Sequence, residues 1–148
     1  SALLEAVMVS VLEPLAGSIA SLGKARELKL QDFTTLLFGM LAKHPHMPQL
    51  ITREVFLPGG VLQEGFLGKF APRLGGRLPG ILEQQKKAGL VRTDLDTDIT
   101  ALLILALCFF PFIAKPAAEI ALGVRLDEPG MRRLSRHVTS VLERGIMS

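Results

Sequence analysis

A chain of 148 residues is long enough to bury one substantial core, and it reads as a single domain over 1–148. Hydrophobic residues make up 49% of it and mean hydropathy is +0.39, yet it has eight Phe, no Trp and no Tyr, so its apolar surface is mainly aliphatic. The net charge of +3 is too small to argue for nucleic-acid binding, its basic residues (Arg73, Arg77, Lys86, Lys87, Arg132, Arg133, Arg136) being scattered without interleaved aromatics, and the single cysteine excludes an intramolecular disulfide framework.

So much aliphatic surface needs an outlet beyond one ordinary core: self-association, an internal cavity or a membrane. The longest stretch without a polar residue, Ala101 to Ala114, is interrupted by Pro111. It is shorter than the roughly 20 apolar residues of a spanning helix. No basic-then-apolar signal peptide opens the chain. The sequence therefore reads as soluble, with no membrane partner expected. Cys108 lies in the apolar run, where cysteine acts as a small hydrophobe, and this fits a reducing cytoplasm.

The first segment carries Leu3, Leu4, Val7, Met8, Val11, Leu12, Leu15, Ile19 and Leu22 at the three-and-four spacing of one helical face. Pro14 falls inside the stripe, which predicts a kink rather than an end. No capping residue precedes the segment, so the chain is expected to begin in mid-helix, after a missing N-terminal part. Gly23 closes the helix and a polar link spans Lys24 to Gln31. Asp32 is the expected cap of a second helix with the stripe Phe33, Leu36, Leu37, Met40 and Leu41. A proline corner, His44-Pro45-His46-Met47-Pro48, follows. A third helix is predicted from about Pro48 to Leu57, ending at Pro58-Gly59-Gly60. Another, from near Val61 to Pro72, carries Leu62, Phe66, Leu67 and Phe70. The next runs from about Pro79 to Ala88. Gly75-Gly76 and Pro79 leave open whether 61–88 is one helix or two.

The connection Leu90 to Asp96 ends in acidic residues. Asp96 is a good N-cap, and Asp98 suits the positive end of the helix that follows. That helix is apolar on every side from Ile99 to about Phe110 and must be covered on all faces. Its own domain can cover one side; a second subunit is the simplest cover for the other. Leu103, Ala106, Phe110 and Ile113 form one side, and Leu105, Cys108, Phe109 and Phe112 another. Periodicity leaves open which face of the 97–113 helix meets a partner. Pro111 and Pro116 break up its end, leaving a short piece to Gly123. Asp127-Glu128-Pro129 starts a last helix with the stripe Met131, Leu134, Val138, Val141 and Leu142. No β-type alternation appears. The expected fold class is all-α, a bundle of six to eight helices.

Chemistry finds little foothold. There is no G-x-S-x-G, no glycine-rich strand-to-helix loop and no nucleophile–base pair, so no catalytic residue is assigned and an enzyme is not expected. His44 and His46 straddle a corner with no carboxylate or cysteine cluster nearby, so neither a metal nor another cofactor is expected. His137, beside the last stripe, suits an interface hydrogen bond. The apolar surplus and the proline-broken helices favour a pocket, which is commonly apolar and sparsely polar. The pocket candidates are Met8, Leu12, Met40, Phe66, Phe70 and Phe110. Thr35, Arg53 and Gln63 are possible polar contacts, none singled out. Candidates for a dimer interface are Leu105, Phe109, Phe112, Leu134, His137, Val138, Val141 and Leu142.

Three stretches carry a resemblance, in order along the chain. Ala2-Leu3-Leu4-Glu5-Ala6-Val7 resembles the start of the first helix after the helix-turn-helix head of tetracycline-repressor-like (TetR-family) transcription regulators. Leu41-Ala42-Lys43-His44-Pro45 through Arg53-Glu54 is similar to an A-x-H-P-x-x-P corner of one subgroup. Gly89-Leu90-Val91-Arg92-Thr93-Asp94-Leu95-Asp96 is similar to the G-x-x-R-x-D-x-D entry to the penultimate helix. The resemblance implies the C-terminal effector-binding and dimerisation domain of a repressor in a bacterial cytoplasm, with the last two long helices in a four-helix dimer interface. A small, mainly apolar effector and a second copy are the implied partners, and DNA is reached only through the helix-turn-helix head, which is absent from this chain. The alternative is a stand-alone helical dimerisation or protein-interaction domain without a pocket.

Overall fold

The computed structural model describes residues 2–24 and 29–146. Eight α-helices account for most of them: α1 (Ala2–Gly23), α2 (Leu30–Lys43), α3 (Met47–Ile51), α4 (Gln63–Gly65), α5 (Leu78–Lys87), α6 (Thr97–Ile113), α7 (Lys115–Leu122) and α8 (Glu128–Ile146). The all-α expectation holds among these residues. Of the expected polar link, residues 25–28 lie outside the described ones.

Helix α1 is continuous through Pro14, whose missing N–H frees the Ser10 carbonyl on the solvent side. It buries Met8, Val11, Leu12, Leu15, Ala16 and Ile19, the spacing of one face. Over Ala2–Leu22 it reaches the length and apolarity of a bilayer-crossing helix. Its inward stripe packs against α2, however, as that of a core helix does.

Helix α2 lies against α1, α6 and α8. It begins at Leu30, so Asp32 sits in its first turn instead of capping it, and Lys29 holds the cap position without a side-chain hydrogen bond. Asp32 still places negative charge near the positive end of the helix. Thr34, fully buried, gives its single hydroxyl hydrogen to the Gln31 carbonyl at 3.1 Å. The 2.9 Å contact between Thr34 and Thr139 is therefore a bond donated by Thr139, and it ties α2 to α8 inside the core.

The proline corner turns α2 into α3. The His44 N–H still reaches the Met40 carbonyl, and Pro48 sits in the first turn of α3, where no N–H is missed. Helix α3 widens into a π-helical turn, Thr52–Phe56, and α4 into another, Phe66–Phe70. Between them Gly60 passes so close to the Glu54 backbone that any Cβ would collide with it. The chain then breaks at Leu74 (φ −107°, ψ −111°) before α5, which makes 61–88 two helical pieces.

The connection from α5 to α6 accounts for the G-x-x-R-x-D-x-D pattern. Gly89 takes φ +76°, a left-handed turn that lets the Leu90 N–H reach back to the Gln85 carbonyl. Val91 is buried. The Arg92 backbone N–H donates to the Ile146 carbonyl at 2.9 Å and its guanidinium to the Gly145 carbonyl at 2.9 Å, so Arg92 caps the last turn of α8. Asp94 holds that guanidinium through two bonds of 3.1 and 3.0 Å. Asp96 caps α6 as expected, accepting from the Ile99 N–H at 3.1 Å.

Helix α6 runs through Pro111 to Ile113, matching the 97–113 helix read from the sequence, and α7 follows after a bend of 76°. Gly123 closes α7 at φ +66°, and Asp127 caps α8 through the Gly130 N–H at 2.9 Å.

Candidate functional site

The inward faces of α1, α2 and α6 do not meet everywhere. They leave a cavity of about 220 Å³, closed on its remaining sides by α3 with its π-helical turn and by residues 66–76. Leu12, Leu15 and Ile19 line it from α1; Phe33, Leu37 and Met40 from α2; Ile51 and Phe56 from the α3 segment. Phe66, Leu67, Ala71, Leu74, Gly75 and Gly76 complete one wall, and Leu105 and Phe109 of α6 another. Phe56 and Leu67 are exposed while most other lining side chains are buried or half-buried, so the cavity opens between the two π-helical turns. Such turns recur at functional sites because the extra residue moves side chains off the regular helical repeat.

Two glycines shape the wall. A Cβ on Gly75 would come within 2.7 Å of Leu105 Cδ1, and one on Gly76 within 2.6 Å of the Ala71 carbonyl oxygen. Between α1 and this wall, Arg73 meets Glu13 through two hydrogen bonds of 2.8 Å and lies 6.0 Å from the centre of the Phe70 ring. The Arg73 guanidinium holds the Glu13 carboxyl below the usual carboxylate range. Larger depressions along α8 and at the α2–α8 corner are open grooves edged by Arg133, His137, Lys115 and Arg132.

Of the pocket candidates, the structure brings together Leu12, Met40 and Phe66. Met8 and Phe70 are packed into the core away from the cavity, and Phe110 is 64% exposed on the far side of α6. Of the possible polar contacts, Thr35 edges other grooves, Arg53 pairs with Glu54 at 2.8 Å in the open, and Gln63 is absent from the lining.

Periodicity leaves open which face of α6 meets a partner; the side that carries the interface candidates Leu105, Phe109 and Phe112 is turned inward. Cys108 and Phe112 are buried, the Phe112 ring meeting that of Phe38 at a tilt of 57° with centroids 5.8 Å apart, and Leu105 and Phe109 face the cavity. Val138 and Leu142 of α8 are likewise core residues. The uncovered stripe is the opposite one: Ile99, Leu102, Leu103, Ala106, Leu107 and Phe110, joined by Ile120 and Leu122 of α7. On α8, His137 and Val141 are exposed and Leu134 half-buried.

Burial pushes the Cys108 thiol up to about 12, far from a reactive thiolate. Among the described residues no three His, Cys, Asp or Glu side chains come together as a metal site would require.

The geometry defines an all-helical bundle folded around an apolar cavity, with one apolar helix face left uncovered. Over residues 27–145 the chain matches the family described as tetracyclin repressor-like, C-terminal domain, and it belongs to that family. No individual curated protein matches it. The family is one of regulatory domains associated with ligand binding and dimerisation.

Proposed function

We propose that the chain is the regulatory domain of a tetracycline-repressor-like transcriptional repressor, binding a small, mainly apolar effector in the cavity and pairing with a second copy. The observation that carries this reading is the cavity itself, walled by α1 on one side and by the inner face of α6 on another. An effector that fits it stabilises one arrangement of α1, on which a preceding helix-turn-helix head is carried in such regulators. The two heads of a dimer then change their spacing against DNA half-sites about 34–36 Å apart. Induction is a difference in effector affinity between two conformations. The second copy is received by the outer stripe of α6 together with Leu134, His137 and Val141 of α8, in an isologous contact. DNA is touched only by the head, and the assembly works in the bacterial cytoplasm without chemistry of its own.

Thermal unfolding of the chain against a panel of small apolar compounds tests the pocket. A true effector at one hundred times its Kd adds about 2.7 kcal/mol. The uncovered α6 face keeps a second reading in view, a helical dimerisation domain without an effector. That reading expects a dimer whose melting no compound shifts. Codons upstream of Ser1 that encode no helix-turn-helix would end the regulator reading.

A further inference from the structure

We infer that the molecule held in the cavity is an uncharged hydrocarbon, aromatic or compactly branched, that makes no hydrogen bond inside. This rests on the reading of the cavity as the effector site and narrows its chemistry. None of the sixteen lining residues carries a nitrogen or oxygen in its side chain. Among the described residues no buried side-chain nitrogen or oxygen lacks a partner, so none stands ready for a polar group on a ligand. Along the wall around Leu74, the Leu74 N–H bonds to the Phe70 carbonyl and the Arg77 N–H to the Leu74 carbonyl, so these two donors are not free for a ligand. Arg73, a cation on that wall, is absent from the lining and bonded to Glu13. A hydroxyl or carboxylate entering this space would give up water and receive nothing in return.

Size narrows the class further. A dry apolar cavity of roughly 150 Å³ accepts benzene. One of about 220 Å³ has room for a dialkylbenzene or a fused bicyclic hydrocarbon. Met40 is the single unbranched, flexible side chain in the lining, able to follow the outline of such a guest.

The test uses the whole chain labelled with 13C at its methionine methyls and three para-substituted probes of nearly one shape: p-xylene, p-cresol and p-toluate. Met8 is buried outside the cavity and Met131 edges the open α2–α8 groove. Met40 lines the cavity but also borders an open α1–α2 groove, so its shift counts as cavity binding only where Leu105→Trp, in the cavity wall and not in that groove, abolishes it. The expected result is a saturable shift of the Met40 signal with p-xylene and little change at Met131. p-Cresol should bind about tenfold or more weakly, and p-toluate should leave Met40 unmoved. Equal or tighter binding of p-cresol or p-toluate at Met40 would overturn the hydrocarbon assignment and leave the effector reading standing. A Met40 signal that responds to none of the three would overturn both. A response at Met131 instead of Met40 would place small-molecule binding in the groove and overturn the assignment to the cavity.

Discussion

Thr34 and Thr139 are two hydroxyls sealed in an aliphatic core: Thr34 is anchored on the Gln31 carbonyl, and Thr139 is satisfied by donating to Thr34. Replacing Thr34 by Val strands the Thr139 hydroxyl, and the loss expected in urea or thermal unfolding is about 1–3 kcal/mol. Replacing both by Val removes the stranded group, so the double variant should recover most of that loss. Additive losses would show that the pair is not coupled. The Glu13–Arg73 pair makes a different forecast. Arg73 lowers the Glu13 carboxyl, so its contribution is complete above the ordinary glutamate value of 4.5 and disappears as pH falls through the lowered one. Melting temperature followed from pH 6 to pH 3 should fall less steeply in Arg73→Met than in the parent chain. Equal slopes would mean that the pair does not hold α1 to the cavity wall. At this scale the sequence was a fair guide wherever a single residue performs a local task. Asp96 and Asp127 cap the helices they precede. Asp32 misled because α2 gains one more apolar contact by starting at Leu30, which is buried, and does so without a side-chain cap.

Among the elements, α6 has two apolar faces with different destinations. Thr100, Ala101, Ile104, Cys108 and Phe112 enter the core, while Ile99, Leu102, Leu103, Leu107 and Phe110 remain exposed. Periodicity cannot separate the two faces of a helix that is apolar all round, because a period needs a contrast. The structure separates them through the position of α2 and α8, which no local pattern reveals. The π-helical turns were hidden for a related reason, since one extra residue per turn leaves no mark in composition. Burying an exposed Leu, Ile or Phe contributes about 1.5–3 kcal/mol, and half of that is available for side chains already half-covered. Five such residues from each of two copies supply on the order of 10 kcal/mol. That is comparable with the cost of association, about 4–15 kcal/mol, so in the proposed pair any contribution from Leu134 and Val141 of α8 would bear on how tight it is. If this face pairs two copies as proposed, Leu103→Glu combined with Phe110→Glu should give a folded monomer in sedimentation equilibrium where the parent chain is a dimer, with helix content unchanged by circular dichroism. A pair of variants that still sediments as a dimer would exclude this face as the interface.

For the whole molecule, the helical architecture could be read because α2, α5 and α8 each carry one clear stripe and α1 and α6 are long apolar runs. The cavity could not, because it is the space left by residues drawn from five stretches of chain. Leu12, Met40 and Phe66 were identifiable as inward-facing, but so were Met8 and Phe70, which the fold packs solidly. A cavity belongs to the arrangement of helices, and glycines such as Gly75, which let the backbone approach Leu105, are its least conspicuous determinants.

The clasp at Arg92 fixes something else. One residue in the middle of the chain receives the carbonyls of Gly145 and Ile146, so the final turn of α8 is fastened to the threshold of α6. The last residues of that helix therefore act as a keystone and cannot be trimmed as a loose tail. Deleting residues from Gly145 onward removes both acceptors and leaves the Arg92 N–H without its partner beside buried Val91. Such a truncation should speed amide exchange at the first turn of α6, more than forty residues away in sequence, before it alters α1. Exchange that quickens only within α8 would show that the two helix ends are neighbours without being joined.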